Sequence, residues 1–234
     1  MDKRAYIRDE FSKIQIELSE KQAEQFEQYY EMLIAKNEVM NLTAITEFEE
    51  VVQKHFIDSV MIKEVRELGD NEKWIDVGTG AGFPGIPLKI VYPQLQVTLL
   101  DSLNKRVKFL QEVVDALGLE QVEALHGRAE EYAKKAEYRE LGRKKHLRES
   151  FDLCVSRAVA NMSTLSEYCL PFVKVGGAFI PYKSGKIQEE IEAAGKAVEI
   201  LGGWIGQRKE FMLPGSDMYR CLLYIEKVKA TAKK

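Results

Sequence analysis

From residue 73 onward, short apolar runs alternate with longer stretches of helical periodicity. Six apolar runs have the length of buried strands. They lie at residues 73–78, 96–101, 122–127, 151–156, 177–182 and 219–227. The stretches between them predict helices at residues 85–92, 104–117, 161–171 and 186–201. This alternation predicts an α/β fold with a mostly parallel twisted sheet and helices on both faces. The last run follows a turn signal and is expected to run antiparallel at the sheet edge.

The residues before the first strand have a different pattern. Apolar side chains in residues 20–38 fall on one face of a helix, and Ser19 and Gln22 have the spacing of a capping box. A second amphipathic helix follows, and neither helix is accompanied by a strand-like run. We therefore predict an N-terminal helical extension over residues 1–66 and one α/β domain over residues 67–234.

The composition of the 234-residue chain is that of a soluble globular protein, with 45% hydrophobic and 30% charged residues. No apolar stretch approaches membrane-spanning length, and the charged start does not lead into a signal-peptide core. We therefore expect a cytoplasmic protein without a membrane partner. Cys154, Cys169 and Cys221 lie in apolar contexts and are predicted to be buried free thiols. No metal-ligand spacing links them to the histidines, so no metal is expected.

The net charge of −3 argues weakly against a protein that binds nucleic acid over its whole surface. Lysine and arginine are nevertheless concentrated in residues 134–148 and in residues 227–234. Two interpretations stay open for these segments. They are either a local basic face for RNA or a solvated helix face and a frayed tail.

The most distinctive motif follows the first apolar run. Asp76 lies near the end of that run, and Gly78, Gly80 and Gly82 follow at alternate positions. Glycine permits positive φ and close approach of a ligand to the backbone. Nineteen residues after Gly82, Asp101 ends the next apolar run, where it can accept hydrogen bonds from both hydroxyl groups of a ribose. This order of strand, glycine turn, helix, strand and acid predicts a nucleotide-type cofactor site.

Two classes of cofactor fit this loop. Read from Gly80 to Gly85, the loop matches the dinucleotide fingerprint, with Asp101 near the expected distance. Read from Asp76, it has the acid-x-Gly-x-Gly-x-Gly form used for S-adenosyl-L-methionine, which is a cation without a pyrophosphate. A carboxylate at Asp76 would repel a pyrophosphate but can hold the ammonium group of a methionine. Asp76 therefore favours S-adenosyl-L-methionine.

Ligands of open α/β sheets bind beyond the carboxyl ends of the strands. Five segments are predicted to meet on that rim. They are residues 76–82, 101–102, 127–130, 156–158 and 181–185.

With these segments assigned, the chain resembles the bacterial small-subunit ribosomal RNA guanine-N7 methyltransferase G family, also called glucose-inhibited division protein B. The resemblance covers essentially the whole chain. Its matching motifs are Asn41-Leu42-Thr43, His55-Phe56-Ile57-Asp58-Ser59, the loop from Asp76 to Pro87, Leu100 to Arg106, Gly127-Arg128-Ala129-Glu130 and Ser156 to Ala160. Residues 133–149 look like a lineage insertion, and nothing is carried over onto them.

The resemblance implies a Rossmann-like class I methyltransferase fold. It also implies methyl transfer from S-adenosyl-L-methionine to N7 of a guanine in the 530-loop region of 16S rRNA, in the 30S subunit or an assembly intermediate. By the same resemblance, Gly78 and Phe83 line the cofactor pocket, Ala129 and Glu130 meet the adenine, and Arg157 closes the site.

The residues themselves suggest how such a site would work. Asp76 and the loop amides would hold the methionine part, and Asp101 the ribose. N7 of guanine carries a free lone pair, so its attack requires no general base and catalysis consists mostly of positioning. Arg157 and Lys183 are candidates to orient the base through O6 or a phosphate. A structural salt bridge is the other interpretation of Arg157, and His55 is expected to be a core-edge side chain.

We also predict where RNA phosphates are bound. Lys105 and Arg106 follow Asp101 and would join Arg157 and Lys183 in a cationic surface on the rim. The lysines of the insertion form a rival surface. They are Lys134, Lys135, Lys144 and Lys145.

Three other functions compete with rRNA methylation. The first is methyl transfer to a small molecule or a protein, which Asp76 and Asp101 do not exclude. The second is a nicotinamide-dependent oxidoreductase, against which Asp76 and the lack of a hydride-transfer pair count. The third is a ribosome-associated binding module with a vestigial pocket, against which the intact glycines count.

Overall fold

A computed structural model of the chain describes residues 2–134, 138–140, 143–157, 160–185 and 187–232, with the backbone alone for 138–140 and 143–145. Lys135 and the side chains of Lys144 and Lys145 lie outside the described residues. So do four residues of the ranges discussed in the sequence analysis, namely Ala158, Val159, Lys233 and Lys234.

The N-terminal extension is helical, as predicted. Its elements are α1 (Lys3–Lys13), α2 (Glu20–Met40), α3 (Phe48–Val51), a π-helical turn (Val52–Ile57), α4 (Asp58–Val60) and a 3-10 turn (Met61–Glu64). Ser19 and Gln22 form the predicted capping box at the start of α2. The sequence did not predict α1, because only Ile7 and Phe11 of this highly charged segment are buried.

All six predicted strands are present within a seven-stranded sheet. In chain order the strands are β1 (Lys73–Val77), β2 (Gln96–Asp101), β3 (Val122–His126), the small hairpin β4 (Tyr138–Glu140) and β5 (Arg143–Lys145), β6 (Phe151–Arg157), β7 (Val173–Lys183), β8 (Gly203–Met212) and β9 (Tyr219–Lys227). The order across the large sheet is β3-β2-β1-β6-β7-β9-β8. The first five of these are parallel, and β9 and β8 are antiparallel.

The prediction that the last strand lies at the sheet edge was wrong. β9 is antiparallel as expected, but β8 pairs with its outer side and takes the edge. The sequence did not predict β8, because this strand contains two glycines and a run of charged residues and so lacks a continuous apolar period. Charged side chains are a common device on edge strands, where they oppose pairing with another chain.

The four predicted helices follow the strands with ends that shift by one or two residues. They are α5 (Gly85–Val91), α6 (Asn104–Ala116), α8 (Met162–Cys169) with a 3-10 turn (Leu170–Phe172), and α9 (Gln188–Ile200). A short additional helix, α7 (Ala129–Ala133), follows β3.

Two hydrophobic layers cover the sheet. Along β1, Trp74 points into the layer that holds the N-terminal helices, whereas Ile75 points into the opposite layer with α8 and α9. The predicted division at residue 66 stays a prediction, but the helices before it share one core with the sheet. The side-chain amide of Gln22 in α2 strengthens this packing, because it donates to the carbonyls of Ile90 and Val91 at the end of α5.

The cysteine prediction is confirmed, since all three are free and buried. Within the described ranges, no group of histidine, cysteine and acidic residues has the arrangement of a metal site. None of the described helices is long and apolar enough to span a bilayer.

Candidate active site

The loop after β1 turns sharply at its glycines. Gly78, Gly80 and Gly82 have φ values of 72°, 64° and 109°, a region that favours glycine. Most of the loop amides bond within the protein. The N–H of Gly78 donates to Leu100 O at 2.8 Å, that of Gly80 donates to Asp101 Oδ2 at 2.9 Å, and that of Gly82 donates to Thr79 O at 2.9 Å. These three N–H groups thus already have protein partners, and their role toward the methionine part stays a prediction.

Asp76 lies beneath this loop, with only 1% of its surface exposed. Its Oδ2 accepts hydrogen bonds from the Thr79 hydroxyl at 2.7 Å and from the Gly85 N–H at 2.9 Å. Its Oδ1 is also buried and has no hydrogen-bond partner in the described part of the chain. Burial raises the pKa of Asp76 to about 6, although Thr79, Gly85 and the charge of Arg157 oppose this shift. Asp76 therefore offers one acceptor that the protein leaves unused.

Asp101 ends β2 and holds the neighbouring backbone. Oδ1 accepts the Leu103 N–H at 2.9 Å, Oδ2 accepts the Gly80 N–H, and Arg106 Nη1 lies 3.6 Å from Oδ2. Each carboxylate oxygen has two lone pairs, so Asp101 keeps capacity for further donors.

A cavity of about 260 Å³ opens where β1, β2 and β3 end. The structure brings four of the predicted cofactor residues together in its lining, namely Gly78, Asp101, Ala129 and Glu130. Asp76, Gly80, Gly82, Phe83 and Arg157 do not line it. Gly82 has a packing role instead, because a Cβ there would lie 2.5 Å from Ile86 Cδ1 and 2.7 Å from the Tyr29 hydroxyl.

Phe83 is buried between the loop and the N-terminal extension. The His55 ring stacks on it, with 4.4 Å between the centroids and 16° between the planes. The Arg157 guanidinium carbon lies 5.1 Å from the centroid of the same ring. Phe83 therefore places the glycine loop in contact with the side chains of His55 and Arg157.

A second cavity, of about 480 Å³, lies beyond the ends of β6 and β7. Its lining combines the extension with the rim, and includes four cations and two acids. The cations are Lys54, Arg157, Lys183 and Arg220, and the acids are Asp58 and Glu190. This cavity is therefore cationic even though the chain as a whole is acidic.

Both predicted orienting cations are held by protein groups. Arg157 Nη1 donates to Asp58 Oδ2 at 3.0 Å, which agrees with the salt-bridge interpretation of Arg157. Lys183 Nζ donates to Ala160 O at 3.0 Å and lies 2.6 Å from Glu190 Oε2. Both side chains nevertheless line the cavity. Neither Arg157 nor Lys183 is therefore a freely exposed cation, as the predicted RNA-binding surface on the rim had required.

Sequence reasoning missed two residues of this cavity. Asp58 is 2% exposed and accepts from the Arg220 Nε at 2.8 Å as well as from Arg157. Asp58 lies three residues after His55 in a matched family motif, and that spacing was an available signal. Arg220 had no local signal, because 162 residues separate it from Asp58.

Two buried tyrosine hydroxyls fix the extension over this rim. Tyr29 of α2 donates to Ala81 O in the glycine loop at 2.7 Å. Tyr182 of β7 donates to Ser59 O in α4 at 2.6 Å. The extension is thereby attached to both sides of the site.

The chain is similar in sequence to proteins of one family. A model of the family described as rRNA small subunit methyltransferase G (GidB) matches residues 22–211. The protein named ribosomal RNA small subunit methyltransferase G from Lachnoclostridium phytofermentans is 54% identical over 218 residues, which cover 93% of this chain and 86% of that protein. The protein of the same name from Alkaliphilus metalliredigens is 48% identical over 234 residues, which cover 100% of this chain and 94% of that protein.

Solved structures are similar at the level of the fold. The YcgJ protein from Bacillus subtilis has a TM-score of 0.53 at 14% identity and covers 75% of this chain and 100% of its own. TYW2 from M. jannaschii, solved in complex with AdoMet, has a TM-score of 0.53 at 15% identity, and the match covers 74% of this chain and 73% of TYW2. These similarities and the strand order confirm the predicted Rossmann-like class I methyltransferase fold. The sequence matches confirm the predicted resemblance: the chain belongs to the rRNA small subunit methyltransferase G family and is an enzyme that transfers methyl groups.

Proposed function

We propose that the protein transfers a methyl group from S-adenosyl-L-methionine to N7 of a guanine in the 530-loop region of 16S rRNA. Its substrate is the RNA of the 30S subunit or of an assembly intermediate, in the cytoplasm. The observation that carries this proposal is the pair of cavities at the carboxyl ends of the strands. One lies over β1, β2 and β3, and the other, cationic cavity lies over β6 and β7. Ligands of open α/β sheets bind at such a reversal of strand order, between β1 and β6.

The residues of the first cavity fit S-adenosyl-L-methionine. Asp76 is not part of the lining, but it lies two residues before Gly78, which is, and its unpartnered Oδ1 is an acceptor for an ammonium group. Asp101 retains lone pairs for ribose hydroxyls, and Ala129 and Glu130 line the same cavity and would meet the adenine. When it is bound, S-adenosyl-L-methionine supplies an electrophilic methyl group on a sulfonium.

The same geometry disfavours a dinucleotide. A pyrophosphate binds the free N–H groups at the start of the helix after the glycine loop. Here the N–H of Gly85, the first residue of α5, donates to the carboxylate of Asp76. A pyrophosphate would therefore meet a negative charge at this helix start. This contact is the structural argument against the oxidoreductase alternative.

The second cavity fits a guanine and its phosphates. Arg157 and Lys183 line it and can orient the base through O6 or hold a phosphate. The described groups that would act as bases are occupied, since Asp58 binds two guanidinium groups and His55 faces Arg157. Attack by N7 requires no proton removal, so the reaction needs no free base in this lining.

Of the four cations proposed for the RNA surface on the rim, three lie near an acid. Lys105 is exposed, and the described residues provide it with no ion pair. Arg106 lies near Asp101, and Arg157 and Lys183 each face an acid. We therefore assign phosphate binding at the outer rim mainly to Lys105, and orientation of the base to the cavity.

The proposal is tested by incubating the enzyme with labelled S-adenosyl-L-methionine and 30S subunits that lack the modification. Borohydride and aniline treatment followed by primer extension then maps N7-methylguanine. We expect one stop in the 530-loop region, and none with Gly80→Val. Methyl transfer to protein or to another RNA position would select the alternative methyltransferase. Calorimetry with NAD in place of S-adenosyl-L-methionine tests the oxidoreductase.

A further inference from the structure

The guanidinium of Arg157 is held by one short segment of the extension. Nη1 donates to Asp58 Oδ2 at 3.0 Å and to Lys54 O at 3.4 Å, and Nη2 lies 3.2 Å from His55 Nδ1. Lys54 and His55 belong to the π-helical turn, and Asp58 directly follows it. π-helical turns are rare and occur frequently at functional sites. The three partners lie within five residues of one another and 99 to 103 residues from Arg157. One segment of the extension therefore holds the guanidinium group.

The contact with Arg157 determines the tautomer of His55. A guanidinium has only donors, so Nδ1 of His55 must carry the lone pair. The ring proton therefore lies on Nε2 and is donated to the Thr43 hydroxyl oxygen at 2.8 Å. Burial and the charges of Arg157 and Arg220 lower the pKa of His55 to about 3, so the ring is neutral. Thr43, Phe83 and Arg157 together fix the ring in one orientation.

The bonds to this segment leave part of Arg157 free. A guanidinium has five N–H groups. Three of them are used by Asp58, Lys54 and His55, so two have no described protein partner. Asp58 also binds Arg220, so one carboxylate faces two guanidinium groups and leaves a net positive charge beside the cavity.

We propose that His55 and Asp58 are positioning residues for Arg157. Asp58 anchors the guanidinium by an ion pair, and neutral His55 fixes its plane by accepting one N–H. The two remaining N–H groups then bind guanine O6 or a neighbouring phosphate. His55 does not act as a general base. This inference rests on the proposed transfer to guanine, and it assigns part of the active site to the N-terminal extension.

The first test measures single-turnover methylation of 30S subunits at saturating S-adenosyl-L-methionine. His55→Phe keeps an aromatic ring to stack on Phe83 but removes the acceptor, and we expect a rate roughly 10–100-fold lower. His55→Asn places a carbonyl oxygen near the position of Nδ1 and should recover most of that loss. Cofactor affinity should stay unchanged in both variants. Glu112→Gln, which removes a surface ion pair to Lys36, is the control. A wild-type rate in His55→Phe, or no recovery in His55→Asn, would overturn the proposal.

The second test does not depend on methyl transfer. Nitrogen-15 NMR of the wild-type protein should show His55 protonated on Nε2 and not on Nδ1 between about pH 5 and 8. In Asp58→Asn, the Arg157 guanidinium should lose its ordered N–H signals. A proton on Nδ1 of His55 would overturn the proposed arrangement even if the enzyme methylates rRNA. Conversely, absence of rRNA methylation by the wild-type enzyme, with the Nε2 tautomer present, would defeat only the proposed function.

Discussion

The carboxylate of Asp76 caps the helix that follows the glycine loop, with 2.9 Å between Asp76 Oδ2 and the backbone nitrogen of Gly85. The same oxygen accepts the hydroxyl of Thr79 at 2.7 Å. One buried acid thus ties the end of β1 to both ends of the loop, while its Oδ1 keeps an unused acceptor. In the proposed function, Asp76 therefore links the stability of the loop to the binding of the cofactor.

Stability should depend on the ionisation of Asp76. Its folded-state pKa of about 6 lies above the ordinary value of 3.8. The contribution of the protonated acid is therefore complete below about pH 4 and is lost as the pH rises through 6. Its size is on the order of 2–3 kcal/mol. Urea unfolding of wild type and Asp76→Asn should diverge across this window. Parallel pH profiles would assign the dependence to other groups.

Folding favours the protonated form of Asp76, whereas binding of S-adenosyl-L-methionine should favour the ionised form. Asp76 is about half protonated at pH 6 and an ammonium group favours its ionised form, so binding at this pH should release up to about half a proton, and affinity should fall at lower pH. Calorimetry with S-adenosyl-L-methionine in two buffers of different ionisation enthalpy measures the release. Asp76→Asn should bind at least about tenfold more weakly and release no proton. Equal proton release in the variant would contradict a contact between Asp76 and the ammonium group.

Asp101→Ala should weaken cofactor binding by about 1.5–3 kcal/mol, because the ribose hydroxyls lose their acceptor. The structure adds a second effect. The N–H groups of Gly80 and Leu103 also lose their partner, so the melting temperature should fall. Asp115→Ala, at an exposed site on α6, is the matched control and should change neither quantity. Unchanged affinity in Asp101→Ala would remove the ribose assignment.

Gly80 and Gly82 should respond differently to substitution. A Cβ at Gly80 meets no atom within 4 Å, so Gly80→Val keeps the packing. Cofactor affinity should nevertheless fall, because the Gly80 N–H holds Asp101, the proposed ribose acceptor, and a valine strains the backbone at this point. The φ of 64° at Gly80 adds a backbone cost of about 1–2 kcal/mol. Gly82→Ala collides with Ile86 and Tyr29 and should mainly lower the melting temperature. Thermal unfolding and calorimetry on both variants separate the two effects. Normal affinity in Gly80→Val would be incompatible with the assigned cofactor loop.

The rate of methyl transfer should be nearly independent of pH between about pH 6.5 and 8.5, because N7 requires no base. The pKa of His55, at about 3, lies far below this range, and that of Asp76, at about 6, lies just below it. Single turnover with saturating RNA and cofactor is the appropriate measurement. A log-linear rise with unit slope would show that a proton must be removed.

Binding to 30S subunits should depend on salt through unpaired cations. Lys105→Ala should reduce the slope of log affinity against log salt by roughly one. Lys183→Ala should reduce it less, since Glu190 already neutralises that charge. A variant of the insertion lysines, Lys134, Lys135, Lys144 and Lys145, is the comparison. If only that variant flattens the salt dependence, RNA docks through the insertion.

Much of the fold was determined by local pattern. The strand of Asp76 and that of Asp101 were predictable, because buried strands and amphipathic helices impose periods that a short window reveals. The glycine loop was predictable for a related reason, since Gly78, Gly80 and Gly82 adopt positive φ values that favour glycine. Edge strand β8 was missed because its exposed residues need no apolar period.

Only the tertiary structure decided how the charged residues pair. Arg157 and Lys183 were identified as rim cations from their positions after β6 and β7, but the sequence did not show that Asp58 and Glu190 face them. Asp58 is 99 residues from Arg157, and the pairing exists because the extension packs across the strand ends. No local period encodes a contact of that length. The sequence by itself determined the glycine loop and the family, whereas the packing of the extension and of α9 against the strand ends decided which acids pair with Arg157 and Lys183.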